Sequence, residues 1–359
     1  MSLAEFSTIQ ARSLRKNKRR GRISDRGKQG DGYLDIMKKI IFTIWALLAI
    51  ALLLCGCDSK EVNEAEDETV WLDMNTEYDL PDELPEGNGQ RVKVILLIGQ
   101  SNATGCGLNS YLEKNLGSEK YAEYEKGFPS VWINYCLDDH KTSSHGEFVK
   151  VDMTCGSTEG YFGPEVGMAE VLSREYPDQT VVILKYSMSG YSLHHHWLCD
   201  GERGSIYEAF LEFATKYMSA LRNSHYDARI GAICWMQGES DTTHFKADRY
   251  YDNQTRLVSY LREDLSSYEE DGGIYFIDAG ISNSPYCEPA YPEINKAKMS
   301  FAELSPQNLY FSTIDAGLTV HMEPEEEPDW GHYDSMSVLK LGHLFGERVV
   351  LSYRLREEK

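Results

Sequence analysis

The sequence predicts an α/β domain of three layers, in which helices cover both faces of a mostly parallel central sheet. Apolar segments of strand length alternate along the chain with longer segments whose apolar residues recur at helical spacing. The first of these strand segments, Val92–Ile98, is continuously hydrophobic, which is typical of a parallel strand buried on both faces. With 42% hydrophobic residues in 359, the chain is long enough to build one large core.

The alternation predicts a single domain over residues 91–359. The helix that begins at Pro164 has a proline and an acid in its first turn, and both are favoured at helix starts. The last helix spaces its apolar residues for packing on the sheet. The predicted strands are Val92–Ile98, Val131–Tyr135, Val181–Tyr186, Ile230–Trp235, Ile274–Asp278 and Leu309–Ile314. The predicted helices are Pro164–Tyr176, Ile206–Leu221, Ala247–Leu265, Pro292–Leu304 and Ser335–Arg354.

Two distinct segments open the chain. Residues 1–36 hold nine Lys and Arg against four Asp and Glu, and we expect a non-native or disordered upstream extension. Residues 37–57 carry two lysines, then an uncharged apolar run that ends in Leu54-Cys55-Gly56-Cys57. This is typical of a secretory signal peptide, and its end resembles the bacterial lipoprotein box, in which the last cysteine is lipidated. We therefore expect a lipid on Cys57, because the run is short for an uncleaved membrane span.

Residues 58–90 are acidic and interrupted by prolines, which predicts a tether between the lipid and the domain. The formal net charge of the chain is -21, although its first 36 residues are basic. The acidity therefore lies in the tether and the domain, and such a body repels nucleic acid and anionic membrane surfaces. We predict no nucleic-acid partner, membrane contact through the lipid anchor only, and a bacterial cell-envelope location, either periplasmic or at the cell surface.

Neither the cysteines nor the histidines favour a metal site. The six cysteines after Cys57 contain no CxxC pair, and Cys234 lies in an apolar run that predicts a buried thiol. The tract His194-His195-His196 cannot converge on one ion from a strand or a helix, because adjacent side chains diverge. We predict no metal, and we assign this tract to the rim of a binding pocket, with Trp197 as a sugar-stacking face.

The segment Gly99-Gln100-Ser101-Asn102 ends the first strand, at the edge of the sheet where α/β proteins bind ligands. A serine there exposes its hydroxyl, and its backbone N–H faces a bound oxyanion. The alternative is an ordinary turn in which Ser101 or Asn102 caps the next helix.

Two further polar segments, Ser187–Ser192 and Trp235–Asp241, follow predicted strands. Gly190 lets the backbone approach a ligand closely and offers an N–H, although a turn would place a glycine there equally well. Gln237 can donate its amide N–H to a developing oxyanion. The alternative for its segment is a helix cap by the serine or the aspartate.

Asp329 and His332 flank Trp330-Gly331 just before the last helix. Residues three apart can meet across one turn, so that the carboxylate accepts a hydrogen bond from Nδ1–H and Nε2 can accept a serine proton. Most Asp-x-x-His pairs are accidents of the surface, so this pair gains weight only beside the other segments.

Together and in order, these segments resemble the sialate O-acetylesterase and acetylxylan esterase-like carbohydrate esterases of the SGNH hydrolase superfamily. The resemblance spans Arg91 to about Arg348 and is carried by Gly99–Asn102, Gly163–Glu165, Ser189-Gly190, Trp235–Asp241 and Asp329–His332. It implies a flavodoxin-like three-layer domain. It also implies an enzyme that removes O-acetyl groups from carbohydrates, such as sialate or acetylxylan, through an acetyl-serine intermediate and without a cofactor.

The resemblance implies a role for each matching residue. Ser101 is the nucleophile, His332 the general base and Asp329 its orienter. Gly163 competes with Gly190 for a place in the oxyanion hole. The oxyanion donors that the resemblance implies are the N–H groups of Ser101 and Gly190 and the side chain of Gln237. Asn102 and Glu239 are implied as supporting residues.

Two other functions fit the sequence. One is a non-catalytic glycan-binding lipoprotein in which Ser101 only positions sugar, and the presence of all three triad residue types argues against it. The other is an esterase or thioesterase for longer acyl groups, whose pocket would prefer long acyl chains to acetyl.

Overall fold

The structure is a computed structural model that describes residues 84–242 and 246–358. All of them belong to the second of two compact units, Glu77–Lys359. The predicted extension, the signal peptide, the lipidation site at Cys57 and the tether up to residue 83 lie outside the described residues. Among the described helices, none has the length and apolarity that a membrane span requires.

The last residues of the predicted tether, 84–90, pack on the domain. Leu84 is buried. The backbone N–H of Gly87 donates to the Ser224 carbonyl at 2.9 Å, and that of Gly89 donates to the His225 carbonyl at 2.7 Å. The packed part of the chain therefore begins before the boundary at Arg91 that the sequence predicts.

The strands of the described residues form one large sheet and two small ones. They are β1 (Arg91–Gly99), β2 (Gly107–Leu108), β3 (Val131–Leu137), β4 (Thr142–Ser143), β5 (Val149–Lys150), β6 (Tyr161–Phe162), β7 (Val181–Ser187), β8 (Leu198–Cys199), β9 (Glu202–Arg203), β10 (Asp227–Met236), β11 (Tyr275–Ala279) and β12 (Asn308–Phe311). The large sheet is ordered β12-β11-β10-β1-β7-β3-β4, and β5 also pairs with β3. Its six long strands are parallel, and only β4 and β5 are antiparallel.

Helices cover both faces of this sheet. The described α-helices are α1 (Ser101–Thr104), α2 (Asn109–Leu116), α3 (Ser118–Glu125), α4 (Glu165–Glu175), α5 (Ser205–Asn223), α6 (Tyr250–Asp264), α7 (Tyr291–Ala302) and α8 (Ser335–Glu357). Helices α4 and α8 pack against each other. Helices α5 and α6 contact a π-helical turn at Leu193–Trp197, and α7 packs on α6. The three-layer, mostly parallel fold class predicted from the sequence is confirmed.

Every predicted strand and helix is present, with shifts at the ends. The predicted helix Ala247–Leu265 begins as a 3₁₀ turn at Ala247–Arg249 before α6. The short helices α1, α2 and α3 were not predicted, because four to eight residues are too few for helical periodicity to show. Cys234 is fully buried, as predicted, and the six cysteines of the described part are free thiols.

Strand β1 brings three strand ends level with one another. Gly99 is paired with Ser187 of β7 on one side and with Met236 of β10 on the other. In this sheet β7 and β3 lie on one side of β1 and β10 lies on the other, so the ends meet at a topological switch point. The loops that leave these three strands therefore converge at one place.

The crossing of α4 and α8 depends on two glycines. A Cβ on Gly342 would lie 2.1 Å from the Pro164 carbonyl oxygen, and one on Gly167 would lie 2.2 Å from the Leu339 carbonyl oxygen. An ion pair between Glu170 and His343, with 2.6 Å between Oε2 and Nε2, joins the same helices. Since α8 begins three residues after His332, this close crossing also fixes the segment that carries His332.

We expect Gly342→Ala to destabilise the domain by about 1–3 kcal/mol, because the new methyl group overlaps backbone atoms of α4 that cannot move independently. Urea unfolding of the domain measures the change. Leu351→Ala, on the exposed side of α8, is the control and should change the free energy of unfolding by less than about 0.5 kcal/mol. Equal stability of Gly342→Ala and the wild type would contradict the close crossing.

Candidate active site

A cleft of about 550 Å³ opens at the level ends of β1, β7 and β10. It brings together segments that lie more than 200 residues apart in the chain, including Ser101 and His332. Its lining residues are Gln100, Ser101, Ser189, Gly190, Glu239, Tyr286, Asp329, Trp330, Gly331 and His332. The four polar segments singled out in the sequence therefore meet at one site.

Ser101 is the first residue of α1, directly beyond the end of β1. The turn needs glycine at position 99, where φ is +151° and a Cβ would lie 2.0 Å from the Met236 carbonyl oxygen. Ser101 is 8% exposed and lines the cleft. No described residue forms a hydrogen bond with its hydroxyl. A helix start also leaves its backbone N–H without an intrahelical acceptor.

Asp329 and His332 meet as their spacing predicts. Oδ2 of Asp329 lies 2.6 Å from Nδ1 of His332, and Oδ1 accepts the backbone N–H of Gly331 at 2.8 Å. The carboxylate therefore closes the turn and holds the imidazole at the same time. This arrangement leaves Nε2 as the ring nitrogen that can exchange a proton with another group.

The thiol of Cys106 also belongs to this site. Burial lowers the pKa of His332, but hydrogen bonds with Asp329 and Cys106 outweigh burial and raise the pKa to about 10. The hydrogen bond with His332 lowers the pKa of Asp329. Cys106 is half-buried, and its Sγ lies 3.5 Å from the Ser101 carbonyl oxygen. The sequence analysis missed Cys106, because no motif contains it.

Asn102 connects Ser101 with the segment that carries His332. Its Nδ2 donates to Glu239 Oε1 at 2.7 Å and to the Gly331 carbonyl at 3.3 Å, and its Oδ1 accepts the Tyr333 N–H at 3.1 Å. Gly331 and Tyr333 are the two neighbours of His332. One amide therefore fixes the backbone on both sides of the imidazole.

Glu239 is fully buried behind this amide. Burial raises its pKa, and the hydrogen bond from Asn102 opposes the rise. Its second oxygen, Oε2, has no hydrogen-bond partner among the described residues. Glu239 therefore acts on the site through the side chain of Asn102.

Gly163 and Gly190, the two candidate glycines for the oxyanion hole, differ in the partners of their N–H groups. The N–H of Gly163 donates to Glu165 Oε1 at 2.9 Å, inside a buried pair of Glu165 with Lys185. Gly190 lines the cleft with φ of +79°, and no described residue accepts its N–H. The Ser189 N–H before it donates to Asp138 Oδ1 at 2.6 Å, which orients the loop. Of the two glycines, only Gly190 offers an N–H to the cleft.

Gln237 is buried and does not line the cleft. Its Nε2 donates to Asp241 Oδ2 at 2.6 Å, to Gln100 Oε1 at 3.2 Å and to the Tyr191 carbonyl at 3.3 Å. Both amide hydrogens are therefore committed to acceptors within the protein. The glutamine that lines the cleft is Gln100, next to Ser101.

Trp197 is not at the pocket rim: the assignment of this ring as a sugar-stacking face was wrong. It is fully buried and packs edge-on against Trp235, with ring centroids 5.0 Å apart. Trp197 is buried because apolar residues surround its ring in space, although the residues just before it in the sequence are polar. The exposed aromatic rings of the cleft are Trp330, 48% exposed, and Tyr286, 52% exposed. No cluster of metal-binding side chains occurs within residues 84–242 and 246–358.

The family model of the sialic acid-specific acetylesterases, which are carbohydrate esterases, matches residues 91–350. The chain belongs to this family. The predicted enzyme class, a carbohydrate O-acetylesterase, is confirmed, and the matched region contains every residue of the cleft. A search of curated proteins gives no match.

Three solved structures align with this esterase, and the first of them shares its fold. A protein from Arabidopsis thaliana is 16% identical and superposes with a TM-score of 0.53, over 72% of this chain and 97% of its own. NanS is 14% identical, with a TM-score of 0.49 over 74% and 99% of the two chains. Est24, a carbohydrate acetylesterase from Sinorhizobium meliloti, is 12% identical, with a TM-score of 0.40 over 73% and 99%.

The raised pKa of His332 predicts an alkaline pH profile for the esterase. An imidazole must be neutral to act as a base, so kcat/KM should rise as pH rises above the ordinary value of 6.5 toward the raised pKa. In Asp329→Asn we expect this rise to move to lower pH and kcat to fall by about 10⁴-fold, because the amide neither stabilises the imidazolium nor fixes the ring.

Initial rates on an aryl acetate between pH 5 and pH 10.5 measure this profile. Glu303→Gln, at the exposed end of α7, is the control and should leave it in place. A profile that does not move in Asp329→Asn would show that the carboxylate does not set the pKa of His332.

Proposed function

We propose that this esterase removes O-acetyl groups from neutral carbohydrates through an acetyl-serine intermediate on Ser101. The observation that carries the proposal is the shared cleft: Ser101 and the Asp329–His332 pair both line it at the end of β1. A nucleophile, a base and an orienter of the base are the parts that acyl transfer by serine requires.

In the first half-reaction the Ser101 hydroxyl attacks the acetyl carbonyl while Nε2 of His332 accepts its proton. The resulting oxyanion lies near the backbone N–H groups of Ser101 and Gly190, neither of which has an acceptor among the described residues. His332 then returns the proton to the departing sugar oxygen. Asp329 stabilises the imidazolium that forms between these two transfers.

In the second half-reaction water attacks the acetyl-serine, and His332 again accepts the proton. Collapse of the second tetrahedral intermediate releases acetate and restores the Ser101 hydroxyl. Gln237, the third donor implied by the resemblance, takes part by holding Gln100, because its own amide hydrogens are committed to other acceptors.

The lining of the cleft favours a neutral sugar. Trp330 and Tyr286 present exposed rings, on which the apolar face of a sugar can stack. The charged side chains among the described lining residues are Asp329 and Glu239, besides His332, and that lining includes no lysine or arginine. The carboxylate of a sialate or a uronate would therefore meet no lysine or arginine in this lining, and it would lie close to Asp329.

The same lining argues against the two alternative functions, hydrolysis of longer acyl esters and non-catalytic glycan binding. Gln100, Ser189 and Gly190 surround the approach to Ser101 with polar groups, which suits an acetyl group better than a long acyl chain. A purely sugar-binding site would not need the 2.6 Å pair of Asp329 and His332 beside an unbonded serine hydroxyl.

For the segments outside the described residues, our proposal remains a lipid on Cys57 and a location in the bacterial envelope.

We expect Ser101→Ala to lower kcat on an aryl acetate by at least about 10⁴-fold, because the variant lacks the attacking hydroxyl and the hydroxyl of Ser189, the other serine of the cleft, donates to Asp138 at 3.0 Å. Acetate release by the compact unit Glu77–Lys359 measures the loss. Ser312→Ala, beyond β12, serves as the control and should retain full activity. Wild-type activity in Ser101→Ala would place the nucleophile elsewhere, and inactive wild type with intact glycan binding would favour the binding protein.

We expect Trp330→Ala to raise KM for an acetylated neutral oligosaccharide by about 10-fold while kcat on an aryl acetate stays within about twofold, because stacking binds the sugar and not the acetyl group. Leu304→Ala, exposed on another surface, is the control.

Comparison of acetylated xylo-oligosaccharides with O-acetylated sialic acid tests the preference for a neutral sugar. A higher kcat/KM for the sialic acid would contradict the preference for a neutral sugar.

A further inference from the structure

We propose that the side-chain amide of Gln100 is a catalytic residue, the third donor to the oxyanion, and that Gln237 is the positioning residue that holds it. This inference rests on the proposed function, since it concerns the oxyanion formed when Ser101 attacks. It reverses the assignment implied by the family resemblance, in which Gln237 itself is the donor.

The orientation of the Gln100 carboxamide is fixed by what contacts its oxygen. Oε1 accepts the backbone N–H of Ser240 at 3.1 Å and that of Gly238 at 3.4 Å, as well as Nε2 of Gln237 at 3.2 Å. Two of the three donors are backbone groups, which can only donate. The atom facing this turn is therefore the oxygen, and the amide nitrogen lies on the other side of the planar group.

The amide nitrogen has the cleft on its side. Gln100 is only 3% exposed, yet it lines the cleft next to Ser101. No described residue accepts a hydrogen bond from its Nε2. An amide that is held by its oxygen and left with two unused N–H groups beside a nucleophile is built to donate to the substrate.

Gln237 cannot take this role without breaking its own contacts. Its Nε2 donates to Asp241 at 2.6 Å, and its Oε1 accepts the hydroxyl of Tyr250 at 3.0 Å. Asp241 is itself held, because Oδ2 also accepts the Leu193 N–H at 2.7 Å. These contacts make Gln237 a rigid support, and its remaining amide hydrogen is aimed at Gln100 Oε1 and the Tyr191 carbonyl.

The chemistry of the step favours an amide at this place. When the Ser101 oxygen bonds to the acetyl carbon, the carbonyl π electrons move to its oxygen, which then carries a full negative charge. The Gln100 N–H joins those of Ser101 and Gly190 as neutral, preoriented donors to this charge. The serine proton goes to His332, so Gln100 neither gains nor loses a proton.

Two variants of Gln100 test the proposal, with kcat and KM measured on an aryl acetate. Gln100→Glu keeps the acceptor for Gly238 and Ser240 but places an anionic oxygen at the cleft. Gln100→Met removes the donor without adding charge. In both we expect kcat to fall by about 10²- to 10³-fold and KM to change by less than about threefold, because the bond forms only in the transition state.

A thionoester substrate separates donation from a structural effect. Sulfur is a weaker hydrogen-bond acceptor than oxygen, so a lost oxyanion donor matters less for C=S than for C=O. We expect the ratio of wild-type to Gln100→Met rates to be at least about 10-fold smaller on an aryl thionoacetate than on the aryl acetate. A merely misfolded site would lower both rates equally, and that outcome would overturn the proposal.

Gln179→Glu is the control for charge. Gln179 is exposed in the turn before β7, at the opposite edge of the sheet, and its variant should match the wild type. Thermal unfolding shows whether each variant folds. If Gln100→Glu does not fold, the rates of Gln100→Met alone test the proposed role of Gln100. Wild-type kcat in Gln100→Met together with an inactive Ser101→Ala would overturn the role of Gln100 alone. Wild-type activity in Ser101→Ala would instead overturn the proposed function.

Discussion

The parallel pairing of β1 with β7 and β10 decides where Ser101, Gln100 and Gly190 lie relative to one another. Because Gly99, Ser187 and Met236 are level in the sheet, the loops that follow the three strands all contribute residues to the same cleft. The backbone of Gly99 approaches the Met236 carbonyl so closely that no side chain fits between them. A slip of one residue along β1 would carry the serine away from the Gly190 loop and would also turn the apolar side chains of the strand to the wrong faces.

Much of this was predictable from the sequence, because strands buried on both faces are continuous apolar runs and their ends carry the polar segments. The 2.6 Å contact of Asp329 with His332 follows from their spacing within one turn. The roles of the glutamines could not be predicted, since both are polar residues at strand ends and only their partners distinguish them. Cys106 and Tyr286 belong to no motif, and Trp197 is buried by rings distant in sequence.

The structure divides the site between groups that touch substrate and groups that hold them. Gln100 and Asn102, on either side of Ser101, both extend toward the segment Gln237–Asp241. This segment starts at the end of β10, so its position is set by the same sheet that positions Ser101. The sequence signature Gln-Gly-Glu-Ser-Asp therefore acts mainly as a support: its glutamine holds Gln100 and its glutamate holds Asn102.

The buried carboxylate of Glu239 shows why such a support has to be polar. Leaving Oε2 without a partner costs free energy, and burial raises the pKa of the group. In return, Oε1 requires the nitrogen end of the Asn102 amide, and the Tyr333 N–H requires its oxygen end. These two contacts exclude the flipped amide, so the Asn102 side chain keeps its hydrogen bonds to Gly331 and Tyr333, the two neighbours of His332. An apolar residue at position 239 would pack more favourably, but it would leave the orientation of Asn102, and therefore of the general base, undetermined.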